Sequence, residues 1–284
     1  MGIYAVTGSA SGMGREVAEK LRDAGHTVIG VDIKQADIVA DLSSVEGRRA
    51  AADGVLAASG GRLDGAVLAA GLGPGQGPDR PRLIAQVNYL GVVDLLDAWR
   101  PALAAAGHAK VVVFSSNSTT TTPAVPARTV RAFLEHDAAK AVCSTRLFGK
   151  NASPILYAAS KIAVSRWVRR AAVKSEWAGA GIRLNALAPG AIMTPLLEEQ
   201  LSTPKRAKLV RSFPVPTGGF GDAGQLAEWV LFMLSDAADF LCGSVVFVDG
   251  GTDAYFRAND WPRPVPAYRL LSYFKRFRAG TRRE

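Results

Sequence analysis

The string Thr7-Gly8-Ser9-Ala10-Ser11-Gly12-Met13-Gly14 constrains this chain more than any other feature. It follows a short apolar run, Ile3 to Thr7, and opens a segment, Gly14 to Ala24, whose Val17, Ala18 and Leu21 recur at helical spacing. Gly25 closes that helix, Thr27 to Val31 reads as a second buried strand, and Asp32 stands at its carboxyl end. One βαβ unit is thereby complete. Glycines at its first turn let the backbone bend sharply and approach a pyrophosphate at a helix N-terminus. The spacing Gly8-x-x-x-Gly12-x-Gly14 departs from the common G-x-G-x-x-G, and such a turn can exist without a ligand. Its place at the head of the first βαβ helix is what a dinucleotide site requires.

The alternation continues through a strand at Ile38 to Ala40, a helix from Val45 to Ala58 and a strand at Gly65 to Ala70. A helix from Leu83 to Ala104 follows, tolerating Gly91 and ending near Pro101, and then a strand at Val111 to Ser115. Beyond it come a helix from Tyr157 to Trp177, a strand at Arg183 to Ala188, a helix from Gly224 to Leu234 and a strand at Ser244 to Val248. This order predicts an α/β, single-domain, doubly wound Rossmann fold over residues 1–254, with a central parallel sheet of about seven strands flanked by helices. An apolar fraction of 48% suits one buried core. Two segments break the pattern. Residues 118–153 form a long insertion before the helix that carries Tyr157, its centre Val130 to Val142 reads as helical, and with the loop Ala191 to Phe220 it is expected to form a lid over substrate. Residues 255–284 form a basic C-terminal extension.

The formal charge of +9 is concentrated in that extension, which holds eight basic residues against two acids and leaves only +3 for the rest. A modest body with a basic tail is a weak case for nucleic acid, and no nucleic-acid partner is expected. In the tail, Leu270, Leu271, Phe274 and Phe277 fall near one helical face among Arg269, Lys275, Arg276 and Arg278. Such a helix can lie on an anionic membrane surface, although packing on its own subunit or a neighbour is the preferred expectation. No apolar run is long enough to span a bilayer. The Gly-rich turn lies so near Met1 that no signal peptide is expected, and the expected compartment is cytoplasmic. Cys143 and Cys242 form no Cys-x-x-Cys and join no Cys/His cluster, so no disulfide and no metal site are expected, and both thiols should be buried.

Asp32, 18 residues beyond Gly14, matches the acidic residue that accepts hydrogen bonds from a ribose. A carboxylate there repels a 2′-phosphate, and with Ser11 before Gly12 and Ile33 after Asp32 no arginine is placed to receive one. NAD(H) is therefore the expected cofactor, with Lys34 the one nearby cation. Tyr157-Ala158-Ala159-Ser160-Lys161 sets a phenol and an ammonium at i and i+4 on one helix face, the only such pair among six tyrosines. A free phenol titrates near 10, and a fixed cation favours the phenolate, bringing proton exchange toward neutrality. Ser116 closes the strand Val111 to Ser115 at the carboxyl edge, where open α/β sheets bind ligands.

Together these residues resemble the short-chain dehydrogenase/reductase family from Ile3 to Thr252. The motifs fall in the family's order: the Gly-rich turn; Asp41-Leu42; Ala69-Ala70-Gly71 where the family has Asn-Asn-Ala-Gly; Asn88; Ser116; Tyr157-x-x-x-Lys161; Pro189-Gly190 with Ile192 and Thr194 beyond; and Val248-Asp249-Gly250-Gly251. The resemblance implies a hydride exchange with a carbonyl or secondary alcohol. Tyr157 would be the acid/base, Lys161 would lower its pKa and bond the nicotinamide ribose, Ser116 would orient the substrate oxygen, and Asn88 would anchor a water relay to Lys161. Gly8, Ser11, Gly12, Met13, Gly14, Asp32, Ile33, Asp41, Leu42, Ala70, Gly71, Pro189, Gly190, Ile192 and Thr194 would hold the cofactor, with Asp41-Leu42 at adenine and Thr194 at the carboxamide. Two features depart from the pattern, Ala69 for the family's first Asn and a 41-residue step from Ser116 to Tyr157. That long step resembles the bacterial 3α-hydroxysteroid dehydrogenase/carbonyl reductase subgroup, which implies a bulky apolar small-molecule substrate. The resemblance also implies a homo-oligomer, with a dimer ahead of a tetramer because the insertion lies beside a usual packing face. The alternative from another class is a non-catalytic NAD-binding sensor or scaffold on the same fold.

Overall fold

Runs of Val, Ala and Ile without interleaved polar residues have to be covered on both faces. In the computed structural model, which describes residues 1–202, 204–262 and 264–280, they are. The first half runs β1 (Ile3–Thr7), α1 (Gly12–Asp23), β2 (Thr27–Asp32), β3 (Ile38–Val39), α2 (Val45–Ala58), β4 (Gly65–Leu68), α3 (Arg80–Ala85), α4 (Gly91–Ala106) and β5 (Lys110–Phe114). The insertion contributes α5 (Ser118–Thr121), α6 (Ala127–Leu134) and α7 (Ala138–Thr145). The chain closes with α8 (Ala152–Ala171), β6 (Arg183–Pro189), α9 (Pro195–Leu201), α10 (Pro204–Arg211), α11 (Ala223–Leu234), β7 (Val245–Val248), α12 (Thr252–Arg257) and α13 (Leu270–Gly280).

The seven strands form one parallel sheet in the order β3-β2-β1-β4-β5-β6-β7. Alternate residues of each strand face opposite layers. Ala5, Val31, Val111 and Val113 pack with α2, α4 and α8, while Tyr4, Val6, Val112 and Phe114 pack with α1 and α11. β1 pairs with both β2 and β4, so the winding reverses there and opens a crevice at the carboxyl ends of these strands. At the opposite edge the buried Lys110 is held by Asp236 at 3.0 Å and Asp239 at 2.9 Å.

The expected strands and helices lie within a few residues of those observed, with informative exceptions. Pro101 does not end its helix, which continues to Ala106 and stops at the left-handed Gly107. A mid-helix proline costs about 3 kcal/mol; burial of Trp99, Ala102 and Leu103 around it offsets that. Between α3 and α4 lies an unforeseen π turn, Gln86–Leu90, which carries the fully buried Asn88. The helix expected at Tyr157 to Trp177 is α8, which starts earlier and ends at Ala171. The loop Ala191 to Phe220 contains α9 and α10.

Part of the insertion packs against the body of the protein. The helix anticipated at Val130 to Val142 is split into α6 and α7 at His136, whose φ is 60°. Both halves pack against α8, and α7 also meets α3; Val130, Ala132, Phe133, Ala138 and Ala141 join the core layer of α4 and α8. Phe133 is fully buried with its ring 5.2 Å from that of Tyr89. The thiols also differ from expectation: Cys143 is exposed and Cys242 is only partly buried.

Candidate functional site

A cleft of about 440 Å³ opens at the carboxyl ends of β1, β2 and β4. Gly8, Ser11, Gly12, Met13 and Gly14 form its floor, Asp32, Ile33, Asp41 and Leu42 one end, and Ala70, Gly71 and Thr194 the other. The turn demands glycine for steric reasons. Gly8 has φ 71°, and a Cβ there would lie 2.8 Å from the Ala70 nitrogen; a Cβ on Gly14 would lie 2.2 Å from the Gly8 oxygen. The tight turn leaves the N-terminus of α1 at the cleft, where Ser11 makes no side-chain cap and the first turn holds no acid. The leading N–H groups and the positive end of the helix dipole are thus presented to an anion.

Asp32 is held by its surroundings and still has acceptor capacity. Its Oδ2 accepts from Ala10 N–H at 3.0 Å and its Oδ1 from Ile33 N–H at 2.7 Å. A carboxylate has about four lone-pair sites, so two remain for ribose hydroxyls. Asp41 is turned locally, accepting from Ser43 N–H and Ser43 Oγ, both at 2.9 Å. Leu42 is buried, and its carbonyl accepts from Arg48 at 3.1 Å. Arg48 also reaches Asp94 at 2.7 Å and Gln86 at 3.0 Å, tying α2, the π turn, α4 and this end of the cleft together. Nothing in the local sequence around Arg48 signals this, because its partners come from other elements.

The far end of the cleft meets the proton-transfer candidates. Gly71 lies between two of them: a Cβ there would sit 3.5 Å from Asn88 Oδ1 and 3.7 Å from Lys161 Nζ. Asn88 clamps the adjacent backbone, accepting from Leu72 N–H at 2.8 Å and donating to Leu72 O at 2.9 Å. Lys161 is buried and donates from Nζ to the Phe114 carbonyl at 2.7 Å. Burial drives its pKa down to about 8, since an ammonium loses hydration there. The same burial pushes the Tyr157 phenol above its ordinary value, and the hydrogen bond from Ser116 pulls it back part of the way.

α8 approaches the sheet closely because Ala158, Ala159 and Ser160 are small and fully buried. Ser115 Oγ lies 2.6 Å from Ser165 Oγ, fastening the end of β5 to α8 one turn beyond Lys161. That bond helps set Ser116 against Tyr157 despite the 40 intervening residues. Sequence reasoning missed Ser115 and Ser165, as well as Arg80, Leu83 and Val87, which line the cleft. The i+4 spacing from Lys161 to Ser165 was the one available signal.

Besides Tyr157 and Lys161, three cofactor candidates do not line this cleft. Pro189 accepts from Asn117 N–H at 2.9 Å, Gly190 N–H donates to Val248 O at 3.0 Å, and Ile192 lines a second cavity with Val215, Phe220 and Leu226. Thr194 does line it, capping α9 opposite Gly12, whose Cβ position is 3.5 Å from Thr194 Cγ2. No group of His, Cys, Asp and Glu suited to a metal ion occurs among the described residues.

The glycine-floored cleft, an uncapped helix N-terminus, a carboxylate with spare lone pairs and the apolar walls of Leu42, Leu83 and Val87 together fit a dinucleotide. A family model described as Enoyl-(Acyl carrier protein) reductase matches residues 124–253. The chain is 37% identical to the 3-alpha-hydroxysteroid dehydrogenase/carbonyl reductase of Comamonas testosteroni, over 92% of its own length and 100% of that protein. It is 30% identical to the cis-4-hydroxycyclohexanecarboxylate dehydrogenase of Sinomonas cyclohexanicum, over 89% of this chain and 88% of that one. The crystal structure of the 3-alpha-hydroxysteroid dehydrogenase from Pseudomonas sp. B-0831 complexed with NADH matches with a TM-score of 0.84 at 42% identity, covering 90% of this chain and 99% of that one.

Proposed function

The chain belongs to the short-chain dehydrogenase/reductase family of oxidoreductases acting on CH–OH groups, and from that premise we propose that it interconverts a bulky, apolar secondary alcohol and its ketone with NAD(H), Tyr157 carrying the proton. The observation that carries this reading is that Asn88 and Lys161 stand beside Gly71 at one end of the dinucleotide-shaped cleft, with Tyr157 one turn before Lys161 on α8 and Ser116 bonded to its phenol. A sensor or scaffold would not need this arrangement.

When bound, the nicotinamide takes up or supplies the hydride. The remaining work falls to the chain's own groups. Ser116 Oγ, bonded to the phenol, places the substrate oxygen within reach of Tyr157 Oη. In the oxidising direction the Tyr157 phenolate accepts the substrate's hydroxyl proton, and in the reducing direction the phenol gives its proton to the new alkoxide. The raised phenol holds its proton at neutral pH and so stands ready for reduction. Lys161, a cation below about pH 8, serves the ribose and, through its charge, the proton transfer. Asn88 holds the Leu72 backbone in place. Asp32 favours NAD over NADP, since two like charges would meet at a 2′-phosphate; the exposed Lys34 is the cation nearest it in the sequence.

The reading of a cyclic secondary alcohol is supported by relatives named for hydroxysteroids and for a hydroxycyclohexanecarboxylate, the first of which is bulky and apolar. The test is an NAD-linked screen of hydroxysteroids, terpenoid alcohols and cyclic diols with the natural chain and Tyr157→Phe. The natural chain should form NADH with at least one cyclic alcohol, and the variant should lose about 10²- to 10⁴-fold in kcat while still binding NADH. Undiminished turnover in Tyr157→Phe would remove the mechanism; cofactor binding without turnover across the panel would return the sensor reading.

A further inference from the structure

α13 is the one sizeable helix that neither builds the core nor approaches the cleft. Its principal contact is the short turn Ala267–Arg269 just before it, and none of its residues joins either core layer. The tail expected to pack on its own subunit or a neighbour does so at its start, where the Phe256 ring lies 5.9 Å from Phe213, but α13 keeps its apolar side chains exposed: Leu271 is 88% exposed, Phe277 62%, and Leu270, Tyr273 and Phe274 about half.

The helix is sharply divided. At 3.6 residues per turn, Leu270, Tyr273, Phe274 and Phe277 fall within an arc of roughly 100°. Tyr273 and Phe277 stack at 6.4 Å, and Tyr273 meets Phe274 edge-on at 5.7 Å, so the face is an ordered aromatic surface. Lys275 and Arg278 flank it on one side and Arg276 on the other, where their long stems can follow an apolar boundary while the charges reach outward. From Trp261 to Arg283 there are seven basic residues and no acid.

That charge decides what can cover the face. Two copies of this helix would bring like charge together, and the rest of the chain is itself net positive, so a second copy lacks the complement. A bilayer with anionic headgroups supplies both requirements, an apolar interior for the aromatic arc and phosphates for its basic rims. We propose that α13 is an interfacial helix that seats this protein on an anionic membrane surface.

The test uses the full chain and a chain ending at Pro266, sedimented with phosphatidylcholine vesicles and with mixed phosphatidylcholine/phosphatidylglycerol vesicles at low and high salt. The full chain should pellet about tenfold more with the anionic vesicles and be released by salt, while the shortened chain stays in the supernatant throughout. Phe274→Glu with Phe277→Glu in the full chain should reproduce that loss with an unchanged unfolding midpoint. Equal pelleting of the two chains, or no pelleting of the full chain, overturns the proposal. So does a full chain that ignores vesicles but forms a larger assembly than the shortened one by light scattering, since the face would then belong to a second copy.

Discussion

Tyr157 and Lys161 lie one turn apart on α8, and burial acts on them in opposite senses, raising the phenol and lowering the ammonium. For Lys161 this has a consequence for stability. With its pKa near 8 in the fold and about 10.4 in the unfolded chain, the folded protein binds fewer protons between those values. Stability therefore rises as pH climbs from about 8 to 10.4, and below 8 the buried cation costs about 3 kcal/mol. Lys161→Met should remove that cost, offset by about 1 kcal/mol for the unpaired Phe114 carbonyl. Urea unfolding at pH 7 should thus show a variant about 2 kcal/mol more stable, flat in the alkaline window and devoid of turnover. A variant less stable than the natural chain at pH 7 would contradict the burial argument. Arg48 acts at a distance from the chemistry. Arg48→Met releases Leu42 and the π turn, and the expected result is a higher KM for NAD with kcat nearly unchanged, read from initial rates at saturating alcohol.

The insertion carries an element-scale lesson. Its length marks a departure from a short connection, but length alone does not say where the extra chain goes. Phe133 answers that, because a fully buried aromatic against Tyr89 fixes α6 on the core side of α4 and α8. Phe133→Ala should cost about 3 to 5 kcal/mol in denaturant unfolding, a core-sized loss that a mobile lid would not give. The π turn is the other case. Gln86 to Leu90 has no residue that signals it, yet the extra backbone carried there aims the Asn88 side chain at Leu72. The Gly-rich turn was legible for the opposite reason, since its glycines answer to contacts within a few residues and with the adjacent strand end.

At the scale of the molecule, the insertion lays α5, α6 and α7 on α8. β7 is an edge strand, and α11, packed on α1, β5 and β6, exposes Trp229 and Phe232, each nearly half accessible. The order of strands and helices, the glycine turn, Asp32 and the Tyr157–Lys161 pair were all determined by the sequence itself. Each rests on spacing along one element or on one strand passing into one helix, where backbone geometry leaves little choice. The tertiary structure decided the rest: Ser115 fastened to Ser165, Arg48 bridging three elements, the insertion laid on α8 and a tail helix whose apolar face stays exposed among the described residues. These depend on which surfaces meet after the chain has folded, and a one-dimensional pattern carries the capacity for such contacts without the pairing.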